Sequence, residues 1–501
     1  MSVGKVWLVG AGPGDVGLFT LKGKEVLENA DVVVYDRLVG HGILAMIPRT
    51  ARWIDVGKRA GDHTMPQWRI NEVLAEEARA GNRVVRLKGG DPFLFGRGGE
   101  ELELLRREGI PYEVVSGVTS AIAVPAYSGI PVTHRDCCSS LHIITGHKKA
   151  GDEYDIDFEA LVRTKGTLVF LMGVKALPEI MEKLMANGMS PDMPAAILQK
   201  GTTARQKRIV ATVSTLAAEA ERRGIETPAI IVVGKVCGLA DEFAWYESLP
   251  LAGMRVVVTR PKDSAATLTA KLREKGAEVI ELPTIRTELA ADQSRLRAAL
   301  HRLREYQWLV FTSPAGVRSF FAVMREEMLD VRALGSVKLA AVGPGTAREL
   351  ERFGLISDLQ PGTYDGASLG RELAQACSGG EKILIPRAAK GGHELIENLA
   401  AGNDLVIEDI PIYDTVYEQT EIIDIARDVE SGDIDCVVFT SASTVKGFAA
   451  ALPEADFGQM TAACIGKQTA AEAQKLGMKI RVAEKATIDS LVELVETIAE
   501  G

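Results

Sequence analysis

The second half of the chain contains the same unit twice. VFTSPAGVRSFF (310–321) returns as VFTSASTVKGFA (438–449), VGPGTARELERFG (342–354) as IGKQTAAEAQKLG (465–477), and VVVTRP (256–261) as ILIPRA (383–388), at offsets of 128, 123 and 127 residues. A steady offset of this size marks two similar folding units. In each copy a β-branched run ends in FTS, and a second strand-like run leads through a Gly turn into a helical stretch beginning at TA. These are α/β units, and their ligands sit at the C-terminal strand ends, where helix N-termini present free N–H groups. Two such units facing each other would line a cleft with small hydroxyls and backbone amides.

The first half alternates the runs VWLVG, ADVVVYD, RVVRLKG, TLVFLMG, PAAILQ and AIIVVG with helix-period stretches such as LKGKEVLENA and QWRINEVLAEEARAG. This alternation predicts α/β with mostly parallel sheets. DEFAWYESLPLAG (241–253) breaks the rhythm and GMRVVVTRP opens a new strand, so a boundary falls near residue 250, giving domains 1–250 and 251–501. The 501 residues suffice for three or four domains at about 100 to 200 residues each. Each half is expected to hold its own core and to be separable.

Composition narrows the function classes. A net charge of −10, nearly all of it in the second half, leaves no basic footprint for nucleic acid. No run reaches the roughly 18 apolar residues of a membrane span, and MSVGKVWLVGAGPGD passes straight into a strand without a signal-like leader. The expectation is a cytoplasmic protein in which an anionic partner would have to be held by a local pocket. Six cysteines without a CxxC pair read as reduced thiols, and seven histidines without HExxH give no metal site.

Several motifs carry chemistry, each with a plainer alternative. GAGPGD (10–15) suggests a dinucleotide turn, but Asp15 stands where that fingerprint wants Gly or Ala, and a tight turn explains the glycines equally. An oxidoreductase using this turn, with Asp36 on a ribose, is therefore the poorer rival. In RLKGGDPFLFGRGGEE (86–101) the Gly pairs allow close approach to a flat ligand, and Asp91 is either a ligand acceptor or a turn cap. GVTSAIAVPAYSGIPVTHRD (117–136) ends in a polar cluster that is either functional or a solvated loop.

Taken in order, GAGPGD, ADVVVYDRLV, VGKRAG, RLKGGDPFLFGRGGEE, GVTSA, AYSGIPVTHRD, LVFLMG and ILQKGT resemble the tetrapyrrole methylases, most closely the uroporphyrinogen-III C-methyltransferases, over about residues 4–245. The resemblance implies a two-domain α/β methylase, homodimeric through this half, that binds S-adenosylmethionine (and S-adenosylhomocysteine as product) in a trough between its domains. It puts cofactor contacts on Pro13, Gly89, Gly90, Asp91, Leu94, Thr119, Ser120, Met172 and Gly201, the proton acceptor on Asp36 and the donor on Lys58. Ser120 stands where many relatives have Ala. Eight substrate carboxylates need cations, and Arg37, Arg59, Arg97 and Arg135 lie with Lys58 in the motif loops, with surface solvation as the bland reading.

Residues 254–501 resemble uroporphyrinogen-III synthase through VVVTRP, the FTS strands, VGPGTA and IPIYDTV. The implied architecture is a tetrapyrrole-methylase two-domain α/β fold followed by a two-domain, flavodoxin-like α/β synthase with an internal repeat, the chain crossing twice between its units. Substrate-facing positions would be Ser313, Thr346, Ser441 and Thr469; Tyr413 is either a catalytic donor or a hinge hydroxyl. Together the halves imply cyclisation of hydroxymethylbilane to uroporphyrinogen III, then methylation toward sirohaem or cobalamin. The alternative keeps the methylase and makes the second half a non-catalytic tetrapyrrole-binding module.

Overall fold

Each run named above becomes a strand in the computed structural model, which describes residues 3–57, 65–146, 156–260, 262–390, 392–401, 404–418 and 425–501. Lys58 and Arg59 lie outside the described residues. The first sheet holds β1 (Lys5–Gly10), β2 (Val32–Tyr35), β3 (Arg52–Asp55), β4 (Arg83–Lys88) and β5 (Tyr112–Val115) in the order β3-β2-β4-β1-β5. All pairings are parallel. Helices such as Leu21–Glu28 and Gln67–Arg79 make the crossovers, and β2 is buried along its whole length, as unbroken VVVY requires. Because the strands run one way, GAGPGD, Asp36, GGDP and GVTS all emerge at one edge.

The second sheet holds β6 (Leu141–Thr145), β7 (Thr167–Leu171), β8 (Pro194–Gln199), β9 (Lys207–Thr212) and β10 (Ala229–Val233), in the order β6-β7-β10-β8-β9. Here the expectation of mostly parallel pairing fails, since only β6 and β7 run parallel. The reason is the short connection 200–206. A parallel crossover takes about a dozen residues or more, so β9 folds back as a hairpin. The following helix, Leu216–Arg222, carries the chain back against the β9 direction, so β10 runs the same way as β9 and antiparallel to β8 and β7.

The second half builds two more sheets. One takes β11 (Arg255–Val258) and β12 (Glu278–Glu281) from before a long excursion. It takes β18 (Cys436–Phe439), β19 (Thr461–Cys464) and β20 (Lys479–Val482) from after it, in the all-parallel order β12-β11-β18-β19-β20. Counted locally this is the flavodoxin-like 2-1-3-4-5 order. The excursion is a compact unit, Thr284–Glu418, with β13 (Ile285–Leu289), β14 (Trp308–Phe311), β15 (Lys338–Ala341), β16 (Lys382–Ala388) and β17 (Val406–Tyr417) in the order β13-β17-β16-β14-β15. Only β13 is antiparallel. The chain thus crosses twice. The repeat is structural: Ser313 and Ser441 are both extended N-caps, at φ −163° and −164°, of the helices Pro314–Glu326 and Ala442–Ala451.

Packing does not part at residue 250. The other compact unit joins Met1–Pro283 to Gln419–Gly501. One apolar cluster in it runs from Val9, Val33, Tyr35, Ile43 and Leu44 to Val257, Ile280, Leu282, Val437 and Phe439. The segment that breaks the rhythm, 241–253, is built in: Tyr246 is buried, its ring 4.9 Å from Tyr127, and Trp245 Nε1 donates to the Ala126 carbonyl at 2.9 Å. Other clusters stay within one half, those of Phe158–Val233 and Val6–Ile110 in the first and those of Leu251–Val495 and Leu296–Tyr413 in the second, so each half has apolar packing of its own and this one cluster is shared between them. An apolar face on a sequence does not reveal which neighbour covers it.

Candidate active sites

At the shared edge of the first sheet three backbones touch. A Cβ on Gly10 would lie 2.5 Å from Gly117 Cα, and one on Gly117 would lie 2.2 Å from the Gly90 oxygen. Gly12 and Gly90 exchange backbone hydrogen bonds of 3.2 and 2.8 Å. Asp91 ties two loops together, Oδ1 accepting from Phe93 N–H at 2.8 Å and Oδ2 from Gly117 N–H at 3.0 Å. Gly89 approaches Leu38 so closely that a Cβ would come within 2.5 Å of the Leu38 Cβ. Gly90 differs from these: at φ +69° its missing Cβ would meet nothing within 4 Å, so the direction a side chain would take is open space.

The second sheet reaches the same place. Leu94 packs on the cluster of Ala121, Val124, Leu171 and Leu198, and Met172, left-handed at φ +57° and 53% exposed, follows Leu171 directly. A Cβ on Gly201 would lie 2.2 Å from Val124 Cγ1, while Asp15 N–H donates to Thr202 Oγ1 at 3.2 Å. Thr119 caps the helix Ser120–Tyr127, accepting from Ala121 N–H at 3.3 Å. Pro13, Gly89, Gly90, Asp91, Leu94, Thr119, Ser120, Met172 and Gly201 therefore sit on loops that touch one another. Beside Gly90 the structure leaves open space, and Phe93, Phe95 and Ile122, on the loops that carry these residues, are exposed.

Asp36 follows β2 on this edge, its side chain 26% exposed. Its Oδ1 accepts from Leu38 N–H at 3.1 Å and its Oδ2 faces Arg86 at 3.4 Å. Behind it lies a buried charge group absent from the sequence reading. Glu101 Oε1 accepts from Lys88 at 2.8 Å, Arg86 Nε at 3.1 Å and Gln67 at 3.2 Å. Burial first, and then Arg86, push the Lys88 ammonium below its usual pKa. Arg86 and Lys88 are two apart on a strand and so share a face; two cations on one face of a buried strand were the available signal. Among the expected carboxylate binders, Arg37 and Arg135 are exposed, whereas Arg97 already pairs with Glu100 at 2.6 and 2.8 Å.

In the unit Thr284–Glu418, Tyr413 on β17 is 6% exposed and its hydroxyl lies 2.7 Å from Ser313 Oγ. That serine oxygen accepts from Gly316 N–H at 3.0 Å. Ser313 can thus give its proton to Tyr413 and leave the phenolic proton for a ligand. Burial raises the Tyr413 pKa, against the opposing hydrogen bond from Ser313, so the phenol stays protonated. Thr346 and Thr469 are buried at the third positions of helices Pro344–Glu351 and Lys467–Gln474, whose caps, Gly343 and Gly466, bring no side-chain acceptor. Ser441 accepts from Thr444 N–H at 3.3 Å.

Residues 5–217 match the family model of the tetrapyrrole (corrin/porphyrin) methylases, and residues 266–493 that of uroporphyrinogen-III synthase HemD. Over 501 residues the chain is 46% identical to the porphyrin biosynthesis protein HemD of Ruminiclostridium josui, covering 100% of this chain and 99% of that one. The chain belongs to this family of methylase–synthase fusions. It is also 41% identical over 363 residues to the uroporphyrinogen-III C-methyltransferase of Bacillus subtilis (strain 168), covering 72% of this chain and 74% of the relative. A solved uroporphyrin-III C-methyl transferase of Thermus thermophilus, complexed with S-adenyl homocysteine, is 40% identical, covers 46% of this chain and 98% of its own, and has a TM-score of 0.41.

In the fusion, among the described residues, no group of His, Cys, Asp and Glu is placed to hold a metal, and no helix is long and apolar enough to cross a membrane. Gly90→Ala is the sharpest probe of the open space. The left-handed backbone costs an alanine about 1–2 kcal/mol, so folding survives, but the methyl group enters the cradle. S-adenosylhomocysteine affinity is expected to fall by about tenfold or more in calorimetry, with unfolding shifted by only a few degrees.

Proposed function

We propose that the fusion performs two consecutive steps on one substrate line: closure of hydroxymethylbilane to uroporphyrinogen III with inversion of ring D, then methylation of uroporphyrinogen III at C-2 and C-7 to precorrin-2 by way of precorrin-1. The observation that carries the methylase reading is the adjacency of Asp36, through Leu38, to the Gly89–Gly90 turn and its open space. S-adenosylmethionine, bound there, supplies the methyl group to a nucleophilic pyrrole carbon. Pro13, Gly89, Gly90, Asp91, Leu94, Thr119, Ser120, Met172 and Gly201 would hold it. Asp36 offers a carboxylate to the cationic ring that develops on the macrocycle, and Lys58 is its proposed proton-donating counterpart. Arg37, Arg59 and Arg135 are the proposed carboxylate partners; Arg97 must first exchange Glu100 for substrate.

For ring closure the protein needs to hold the two chain ends together and help a hydroxyl depart. A buried, protonated Tyr413 backed by Ser313 is suited to donate to that leaving oxygen. Ser441 and Thr469, with Ser313 and Thr346, are the proposed substrate-facing positions. The family resemblance also supports a cytoplasmic homodimer. One assay tests the reading: hydroxymethylbilane with S-adenosylmethionine and no added synthase should yield a macrocycle carrying two extra methyl groups, by absorbance and mass. The isomer decides the synthase half, because bilane also closes unaided without inversion: if only the macrocycle with ring D uninverted forms while supplied uroporphyrinogen III is methylated, the second half is a binding module, not a synthase.

A further inference from the structure

The hairpin loop 200–206, which carries Gly201, is gripped from two sides. On the methylase side Thr202 Oγ1 accepts from Asp15 N–H at 3.2 Å, and Thr202 N–H donates to Gln206 Oε1 at 2.9 Å. Gln206 Nε2 donates to the Tyr127 carbonyl at 3.2 Å, and Tyr127 Oη donates to Asp15 Oδ2 at 2.7 Å. The loop thus braces the GAGPGD turn against the helix that begins at Ser120. On the other side it meets the second half. Ala204 N–H donates to Glu278 at 2.9 Å, and Arg205 donates to Asp433 Oδ1 at 2.7 Å, the Asp433 carbonyl at 2.8 Å, the Gly253 carbonyl at 2.8 Å and Asp435 at 3.1 Å.

Two features make this grip more than surface decoration. Lys200 and Thr202 are non-glycine residues at φ +46° and +66°, and such backbones persist only where their surroundings over-determine them. Their surroundings here include carboxylates that only the second half provides. The carboxylates also lie at one end of their sheet: Glu278 opens β12, while Asp433 and Asp435 precede β18. Ser441, after β18, belongs to the opposite, C-terminal edge. The methylase loop therefore docks where it does not obstruct the edge expected to bind substrate. A cavity of only about 40 Å³ remains between Gly14, Asp15, Thr202 and Gly276–Val279, so the fit is close.

We propose that Arg205 is a positioning residue for the methylase: pinned by Asp433 and Asp435, it holds the Gly201 loop in its cofactor-binding shape, so that cofactor affinity depends on residues of the synthase half. This rests on the methylase reading above. The test uses the full chain carrying Asp433→Asn, and separately Arg205→Ala, with methylation kinetics, S-adenosylhomocysteine calorimetry and thermal unfolding. Asp433→Asn alters no methylase residue; because Asp433 also pairs with Arg255, thermal unfolding separates a general loss of stability from loss of the Arg205 pin. Both variants should raise the KM for S-adenosylmethionine and weaken S-adenosylhomocysteine by about tenfold, with kcat within about twofold, as loss of uniform binding requires. The double variant should be no worse than the worse single one. Unchanged cofactor affinity in Asp433→Asn, or kcat and unfolding falling together with no specific rise in KM, overturns the proposal. An unaltered chain that binds no S-adenosylhomocysteine would instead overturn the methylase reading itself.

Discussion

Asp36→Asn is expected to slow methylation by about a hundredfold to a thousandfold while leaving S-adenosylhomocysteine affinity as it was. The substitution is nearly isosteric. An asparagine keeps an oxygen for the Leu38 N–H, so the turn after β2 holds its shape, and the Gly89–Asp91 loop is untouched. What disappears is the negative charge facing Arg86 at 3.4 Å. If that charge stabilises a cationic ring during methyl transfer, its loss appears in the single-turnover rate and not in calorimetry. Arg86 remains paired with Glu101, so no buried cation is orphaned and the fold is not at issue. A single-turnover rate equal to that of the unaltered chain removes Asp36 from the chemistry.

How far the sequence foretold this arrangement depends on the range of the interaction. Strands of VVVY or TLVF type, and turns such as GAGPGD, are dictated within a few residues, and they fall where read. The repeat of the second half survives to the backbone angles of Ser313 and Ser441. The hairpin 200–206 was missed because Lys207–Thr212, with charges at its start and half-exposed positions beyond, carries no marked apolar run. Glu101 with Lys88, Tyr413 with Ser313, and Arg205 with Asp433 are 13, 100 and 228 residues apart. Such pairings are made by topology, and composition at either end does not announce the partner.

The same limit hid the shared core, and it leads to the strongest expectation about the chain as a whole. A chain ended at residue 250 loses the cover that β11, β12 and β18 give to the apolar cluster around the helix His41–Leu44, which contacts β12. It also loses Glu278 and Asp433 from the 200–206 loop. Uncovering even two large aliphatic side chains costs about 3–6 kcal/mol, against a net stability of about 5–15 kcal/mol for a domain. The fragment 1–250 is therefore expected to aggregate or to bind a hydrophobic dye, and to unfold well below the intact chain. Light scattering and thermal unfolding decide the matter. A monodisperse fragment that unfolds at the intact chain's temperature would mean that the cluster is covered equally well within the first half, and that the boundary near residue 250 is a true division of stability.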